Sequence, residues 1–96
     1  MLKISRQAEK EIPNFSSHKL AHDYFKNKYG NHFVMMSTEV IDGQNVYFYG
    51  LILDRHNFEI GRKQLLRDGG IVGALDFMNS YQPVEIFEDG RIHIIH

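Results

Sequence analysis

Apolar residues recur at helical spacing near the start of the chain. Ile4, Ala8 and Ile12 lie four residues apart, which predicts a short helix over residues 4–12. Pro13 follows and disfavours helical geometry at the residue before it, so the helix is expected to end there.

A stronger helical pattern comes next. Its apolar face is formed by Leu20, Ala21, Tyr24 and Phe25. Ser16 has a hydroxyl that can cap a helix N-terminus, and Gly30 can take the positive φ that often follows a helix C-terminus. We therefore predict a helix over residues 17–29.

The middle of the chain is rich in residues that favour strands. Residues 33–41 and 46–53 are dense in Val, Ile, Phe, Tyr and Met, and residues 42–45 between them, Asp-Gly-Gln-Asn, predict a hairpin turn. Both faces of the second strand are apolar or aromatic, which predicts a central position in a sheet.

Residues 57–61 allow two interpretations. Phe58 and Ile60 alternate with Glu59, which favours a third short strand, whereas a helix beginning at Asn57 would have to accommodate Gly61. Glycine in a helix interior costs about 1 kcal/mol relative to alanine, so the strand is preferred and a helix over 62–68 follows it, burying Leu65 and Leu66.

The last third of the chain predicts one more helix and a hairpin. Ile71, Ala74, Leu75, Met78 and Tyr81 have helical spacing over residues 71–81, and Gly69-Gly70 separates this helix from the one before. Asp89-Gly90 lies between two strand-like runs and predicts a two-residue turn. That turn would place Glu88 opposite Arg91 and Phe87 opposite Ile92.

These elements predict an α+β fold in a single domain, residues 1–96. We expect an antiparallel sheet of about five strands, a three-strand meander plus the C-terminal hairpin. The N-terminal and central helices are expected to pack on one face.

Composition narrows the classes of function. The chain has no cysteine, so disulfides and thiolate zinc sites are excluded, and the composition fits a cytoplasmic protein. No apolar run has the length of a membrane span, and the first residues lack the apolar core of a signal peptide. A net charge of −1 disfavours a dedicated nucleic-acid binder.

Two histidines are candidate metal ligands. His18 and His22 lie four residues apart on the second predicted helix and therefore share a face, where two imidazoles could chelate a metal ion. A third ligand cannot be identified from the sequence. A metal-dependent hydrolase using this pair with Asp23 is one alternative function, beside the simpler interpretation of two exposed histidines.

The other histidines that we considered for chemistry are scattered. His56, His93 and His96 could serve in acid–base catalysis only if the fold brought one of them beside a carboxylate such as Asp54, Glu59 or Glu85. The sequence therefore predicts no catalytic residue and no cofactor.

A basic patch supports a further alternative. It consists of Arg55, Arg62, Lys63 and Arg67, which could contact an anion or a single-stranded nucleic acid if aromatic side chains lay beside them. The simpler interpretation is a solvated helix face.

The aromatic strand leads to the main functional hypothesis. Tyr47, Tyr49 and Leu51 share one face of the second strand, and a sheet with helices on its other side only would leave this face open. An exposed apolar sheet face is typical of a contact with a partner protein or a second copy of the chain. The alternative is that residues 1–15 cover this face.

The hypothesis is therefore a small non-enzymatic protein-binding or regulatory module. A bacterial or phage accessory protein fits its size, and a homodimer is one form that its partner could take.

Overall fold

The computed structural model describes residues 3–70 and 74–96 of the 96-residue chain. Its helices are α1 (Arg6–Lys10), α2 (His18–Tyr29), α3 (Arg55–Asp68) and α4 (Ala74–Met78), and a 3₁₀ turn, Gly30–His32, follows α2. Its strands are β1 (Phe33–Ile41), β2 (Gln44–Ile52), β3 (Tyr81–Phe87) and β4 (Ile92–Ile94).

The α+β class and the antiparallel sheet are confirmed, with four strands among the described residues rather than five. The strand order is β1-β2-β3-β4, and each neighbouring pair is antiparallel. Strands β1 and β4 are the two edges. The predicted helix over 71–81 is confirmed only as α4, since residues 71–73 lie outside the described residues and Tyr81 begins β3.

The predicted strand at residues 58–60 is wrong, because this segment belongs to helix α3. Asp54 caps the helix, and its carboxylate accepts the backbone N–H of Asn57 at 3.2 Å. Phe58 and Gly61 form its buried face. The ring of Phe77 occupies the space that a Cβ at position 61 would need, so this glycine permits close helix packing.

Helix α2 begins at His18, one residue later than the predicted start at residue 17. Ser17, rather than Ser16, is the N-cap, and its hydroxyl accepts the backbone N–H of Leu20 at 3.3 Å. Ala21 and Phe25 are the buried residues of the helix, as the apolar pattern predicts.

Both hairpins form where the sequence predicts them, but with other loop lengths. Asp42 and Gly43 both have positive φ, 52° and 79°, and form a two-residue turn. This turn is shorter than the predicted one over 42–45, because Gln44 and Asn45 already pair with β1. In the second hairpin the predicted register is wrong, because Phe87 donates to the carbonyl of Arg91 and the loop therefore has three residues, 88–90. Gly90, with φ of 89°, takes the left-handed position of this loop.

The helices are divided between the two faces of the sheet, rather than packed on one. Helices α1 and α2 cover the first face, whose core contains Phe25, Tyr49 and Leu51. Helices α3 and α4 cover part of the second face through Phe58 and Phe77, which pack on Ile52.

Candidate functional site

The first sheet face is closed. Tyr49 is 3% exposed and Leu51 is 0% exposed, while Tyr47 is half-buried. The expectation that these three residues form an open protein-binding face is therefore not met, because α2 lies across them. Residues 1–15, which were the proposed cover, contribute Ile4 to the same core, with Ala8, Ile12 and Phe15 packed at its edge.

His18 is placed in this closed face rather than in a metal site. Its Nε2 lies 2.7 Å from the Tyr49 hydroxyl, and its ring stacks on Tyr47 with centroids 3.6 Å apart. Burial is the main cause that lowers the pKa of His18, and the neighbouring His22 lowers it further. Burial also raises the pKa of Tyr49 to about 12. Both shifts favour a protonated hydroxyl on Tyr49, which can donate to the imidazole of His18 when that ring is neutral.

His22 does share a helix face with His18, as the spacing predicts. The two ring centroids lie 6.1 Å apart, and Nδ1 of His22 lies 3.1 Å from Asp23. Within residues 3–70 and 74–96, no group of three or more His, Cys, Asp or Glu side chains could hold a metal ion.

The three histidines that could serve in acid–base catalysis, His56, His93 and His96, divide into two kinds. His93 lies 2.9 Å from Glu85, and His96 lies 2.5 Å from Glu9, so each of these pairs joins an imidazole to a carboxylate. Of the acid–base pairs considered from the sequence, the structure assembles His93–Glu85. His56 is exposed at the start of α3.

The basic residues of α3 make structural contacts. Arg55 donates to the carbonyl of Asn31 at 2.9 Å, and Arg62 donates to the carbonyl of Met35 at 3.2 Å. Arg67 pairs with the adjacent Asp68, and Lys63 is exposed. Arg55 therefore connects α3 to the 3₁₀ turn and Arg62 connects it to β1, while Arg67 and Lys63 lie exposed.

The second sheet face carries a feature that the sequence analysis missed. Helices α3 and α4 cover only one end of this face, and beside them lies a cleft of about 420 Å³. We call it the apolar cleft, and the side chains that define it are Met36, Glu39, Phe48, Leu65, Tyr81 and Pro83.

The apolar cleft continues into a second, smaller hollow. This hollow has a volume of about 210 Å³ and shares Tyr81 and Pro83 with the cleft. Leu75 and Met78 of α4 line it and are 70% and 63% exposed. Leu65, which was predicted to be buried, is 44% exposed at the cleft wall. The two hollows therefore adjoin at Tyr81 and Pro83, with exposed apolar side chains of α3 beside the first and of α4 beside the second.

A larger hollow, of about 530 Å³, lies between residues 13–15 and the second hairpin. Its two charged or titratable side chains are already engaged, since Arg91 pairs with Asp89 and His93 pairs with Glu85. The apolar cleft is therefore the better candidate for binding a partner.

The geometry defines a small α+β domain with an exposed apolar cleft beside its helices. Comparison of the chain with protein-family models, curated proteins and solved structures finds no match. No helix in the described part of the chain is long and apolar enough to cross a membrane.

Proposed function

We propose that this chain is a protein-binding module whose contact surface is the apolar cleft. The observation that carries the proposal is the exposure of large apolar side chains around one concave surface: Leu65, Leu75 and Met78 are 44–70% exposed. Isolated exposed apolar residues are ordinary on protein surfaces, but a contiguous concave group is typical of an interaction site.

The charges beside the cleft indicate what kind of partner it fits. Glu39 lines the cleft and is exposed. Glu85 lies opposite Phe48 on the same face, but it pairs with His93. The carboxylate of Glu39 beside an apolar floor favours a partner that inserts large apolar side chains and presents a Lys or Arg beside them.

The structure around the cleft provides a firm platform for such a contact. Tyr81 packs against Phe58 and Phe77, with ring centroids 5.7 and 5.2 Å apart. Gly50 opens space for this ring, because a Cβ there would lie 3.1 Å from the Tyr81 side chain. The cleft floor is therefore held by core contacts, and binding would require little rearrangement of it.

Selection from a display library of random short peptides tests the proposal. We expect the wild-type chain to enrich peptides that combine several large apolar residues with a Lys or Arg. Binding of the purified peptides should be lost in Leu65→Lys and weakened in Glu39→Lys, since the first places a charge in the cleft and the second reverses the charge beside it.

Leu20→Lys is the matched control. Leu20 is 52% exposed on α2, which packs on the other face of the sheet. This variant should bind the selected peptides as the wild type does. A wild-type selection that enriches nothing beyond the Leu65→Lys selection would contradict the proposal.

We also propose that the chain forms a single domain and acts in the cytoplasm, as the sequence predicts. The peptides that the selection enriches would identify the partner.

A further inference from the structure

Strand β1 is an edge whose outward backbone groups can be identified from the hydrogen bonds of the inner strands. Leu53 donates to the carbonyl of Ser80, and Ile95 donates to the carbonyl of Pro83. In a strand with an antiparallel neighbour on each side, successive residues hydrogen-bond alternately to one neighbour and to the other. In β2, residues 47, 49 and 51 therefore bond to β3, and residues 46, 48 and 50 bond to β1.

The register of β1 with β2 extends this alternation to the edge. Ser37 pairs with Phe48, and Glu39 pairs with Val46, so these two residues of β1 bond inward. Thr38 and Val40, which lie on either side of Glu39, direct their backbone N–H and C=O groups away from the sheet. Phe33 and Met35 do the same before the bulge that lies between Met35 and Ser37.

The first half of this edge is capped by side chains of the protein itself. Lys26 donates to the carbonyl of Phe33 at 3.3 Å, and Arg62 donates to the carbonyl of Met35 at 3.2 Å. In the described part of the chain no side chain bonds to the outward backbone groups of Thr38 or Val40. Val40 is also 70% exposed. The second half of β1 is thus an open edge, without the Lys or Pro that commonly protects one.

Helix α3 carries an exposed apolar residue on the flank that contacts β1. Arg55 bonds to Asn31 in the 3₁₀ turn before β1, and Arg62 bonds to Met35 in β1, so successive turns of α3 contact successive positions of this segment. Leu66 follows Arg62 by four residues and shares its flank of the helix, one turn beyond the contact with Met35. Leu66 is 80% exposed.

We propose that a second copy of this chain pairs with the open edge through its own β1. The two strands run antiparallel about a two-fold axis at Thr38, and the two sheets join into one of eight strands. The axis also brings the two copies of Leu66 towards each other, because the contacts of each α3, at Asn31 and then at Met35, advance towards that axis. An interface between identical copies requires such self-complementary features.

The charge of Glu39 selects the register. With Thr38 opposite Thr38 of the second copy, Glu39 faces Ser37 of that copy, whose hydroxyl can donate to the carboxylate. With Thr38 opposite Val40, Glu39 would face Glu39, and like charges directly opposite destabilise a strand pair. Glu39 also lines the apolar cleft, so the dimer test changes Leu66 and Thr38, which the peptide test leaves unchanged. The proposed dimer also places the two clefts on the same face of the joined sheet.

Sedimentation velocity of the full chain over a range of concentrations tests the inference. We expect a reversible dimer in the wild type. Leu66→Lys should raise the dimer dissociation constant by about tenfold or more, since it places two like charges at the two-fold axis. Thr38→Pro should also give a monomer, because proline removes an outward N–H without removing a bond to β2.

Leu20→Lys is again the control and should remain dimeric. Circular dichroism and melting temperature show whether each variant keeps its fold, and Leu66→Lys alters only an exposed residue. A wild type that stays monomeric at every concentration would overturn the inference. So would a folded Leu66→Lys chain that dimerises as tightly as the control. Either result would leave peptide binding by the cleft unaffected.

Discussion

The hydroxyl of Tyr49 lies 2.7 Å from Nε2 of His18, and this contact joins the central strand β2 to the first turn of α2. The tyrosine is 3% exposed and His18 is half-buried, so the hydrogen bond is partly shielded from water. It also explains why His18 does not act as a free helix-surface imidazole: one nitrogen accepts a bond from the core, and the ring lies flat on Tyr47.

Removing this hydroxyl should destabilise the protein without altering its shape. We expect Tyr49→Phe to lower the free energy of unfolding by about 0.5–1.5 kcal/mol, since it deletes one hydrogen bond and leaves the imidazole nitrogen without that donor. Urea denaturation measures the change. Tyr24→Phe is the matched control, because the Tyr24 hydroxyl meets only Lys28, at 3.4 Å and in an exposed position. An equal loss in both variants would contradict the role given to Tyr49.

The lowered pKa of His18 predicts how this contact depends on pH. Burial holds the pKa below its usual value of 6.5, so the unfolded chain binds this proton more readily than the folded chain does. The contribution of His18 to stability is therefore complete above pH 6.5 and is lost as the pH falls from 6.5 towards the folded pKa. His22, which lowers this pKa, and Asp23, which raises it, are the charged neighbours.

Denaturation of the wild type and His18→Gln at several pH values measures that dependence. The stability advantage of the wild type should be larger at about pH 7.5 than at about pH 5.5, because protonation disfavours the folded state only when His18 is present. His93→Gln serves as a comparison, since its imidazole is exposed beside Glu85. An advantage that grows as the pH falls would have the wrong sign for a buried, neutral His18.

Gly61 should tolerate no side chain, although alanine is the better helix former. Alanine there would gain about 1 kcal/mol of helix propensity, but its Cβ would overlap the ring of Phe77. Overpacking of this kind costs about 1–3 kcal/mol, so we expect Gly61→Ala to lower the melting temperature. Gly70→Ala is the control, because no atom of residues 3–70 or 74–96 outside its chain neighbours lies within 4 Å of its Cβ position. Stabilisation by Gly61→Ala would contradict the packing of α3 on α4.

The buried amide of Gln82 holds the N-terminal segment to the sheet. Its Oε1 accepts the N–H of Ile4 at 2.8 Å, and its Nε2 donates to the carbonyl of Ile4 at 3.0 Å and to that of Ile95 at 3.2 Å. Gln82→Met should leave these backbone groups without partners, at a cost of about 1–3 kcal/mol. The amide of Ile4 should then exchange with solvent faster, which NMR hydrogen exchange detects. Gln7→Met, at an exposed position, should not change this rate.

Elements with strong local signals could be predicted from the sequence. Helix α2 has an apolar face of the right period, and Asp42-Gly43 suits a turn that needs positive φ at two residues. The second half of α3 was predicted as a helix over 62–68, but its first half was assigned to a strand because Gly61 weakens a helix when only local propensity is considered. A glycine is needed at position 61 because the ring of Phe77, which is remote in the sequence, occupies the space of a Cβ there. The register of the second hairpin was predicted wrongly because Asp89-Gly90 was taken as a complete two-residue loop. Gly90 is instead the third residue of a loop over 88–90.

The sequence predicted the type of candidate site, an open apolar sheet face, but not the residues that form it. The sequence indicated an apolar sheet face open to a partner, but it could not show which face α2 would cover. Phe48 alternates with Tyr47 and Tyr49 along β2, so its place on the opposite face was visible in the sequence. The positions of Leu65 and Pro83 beside it depend on how α3 and β3 pack, which local patterns do not determine.

The central claim is that the second sheet face is open at the apolar cleft and that the first face is closed. Paramagnetic relaxation of side-chain methyl groups by a neutral, soluble gadolinium chelate measures this directly. We predict strong relaxation enhancement at Leu65 and Leu75, which are 44% and 70% exposed, and almost none at Leu51, which is 0% exposed. Strong enhancement at Leu51 together with protection of Leu65 and Leu75 would contradict the account.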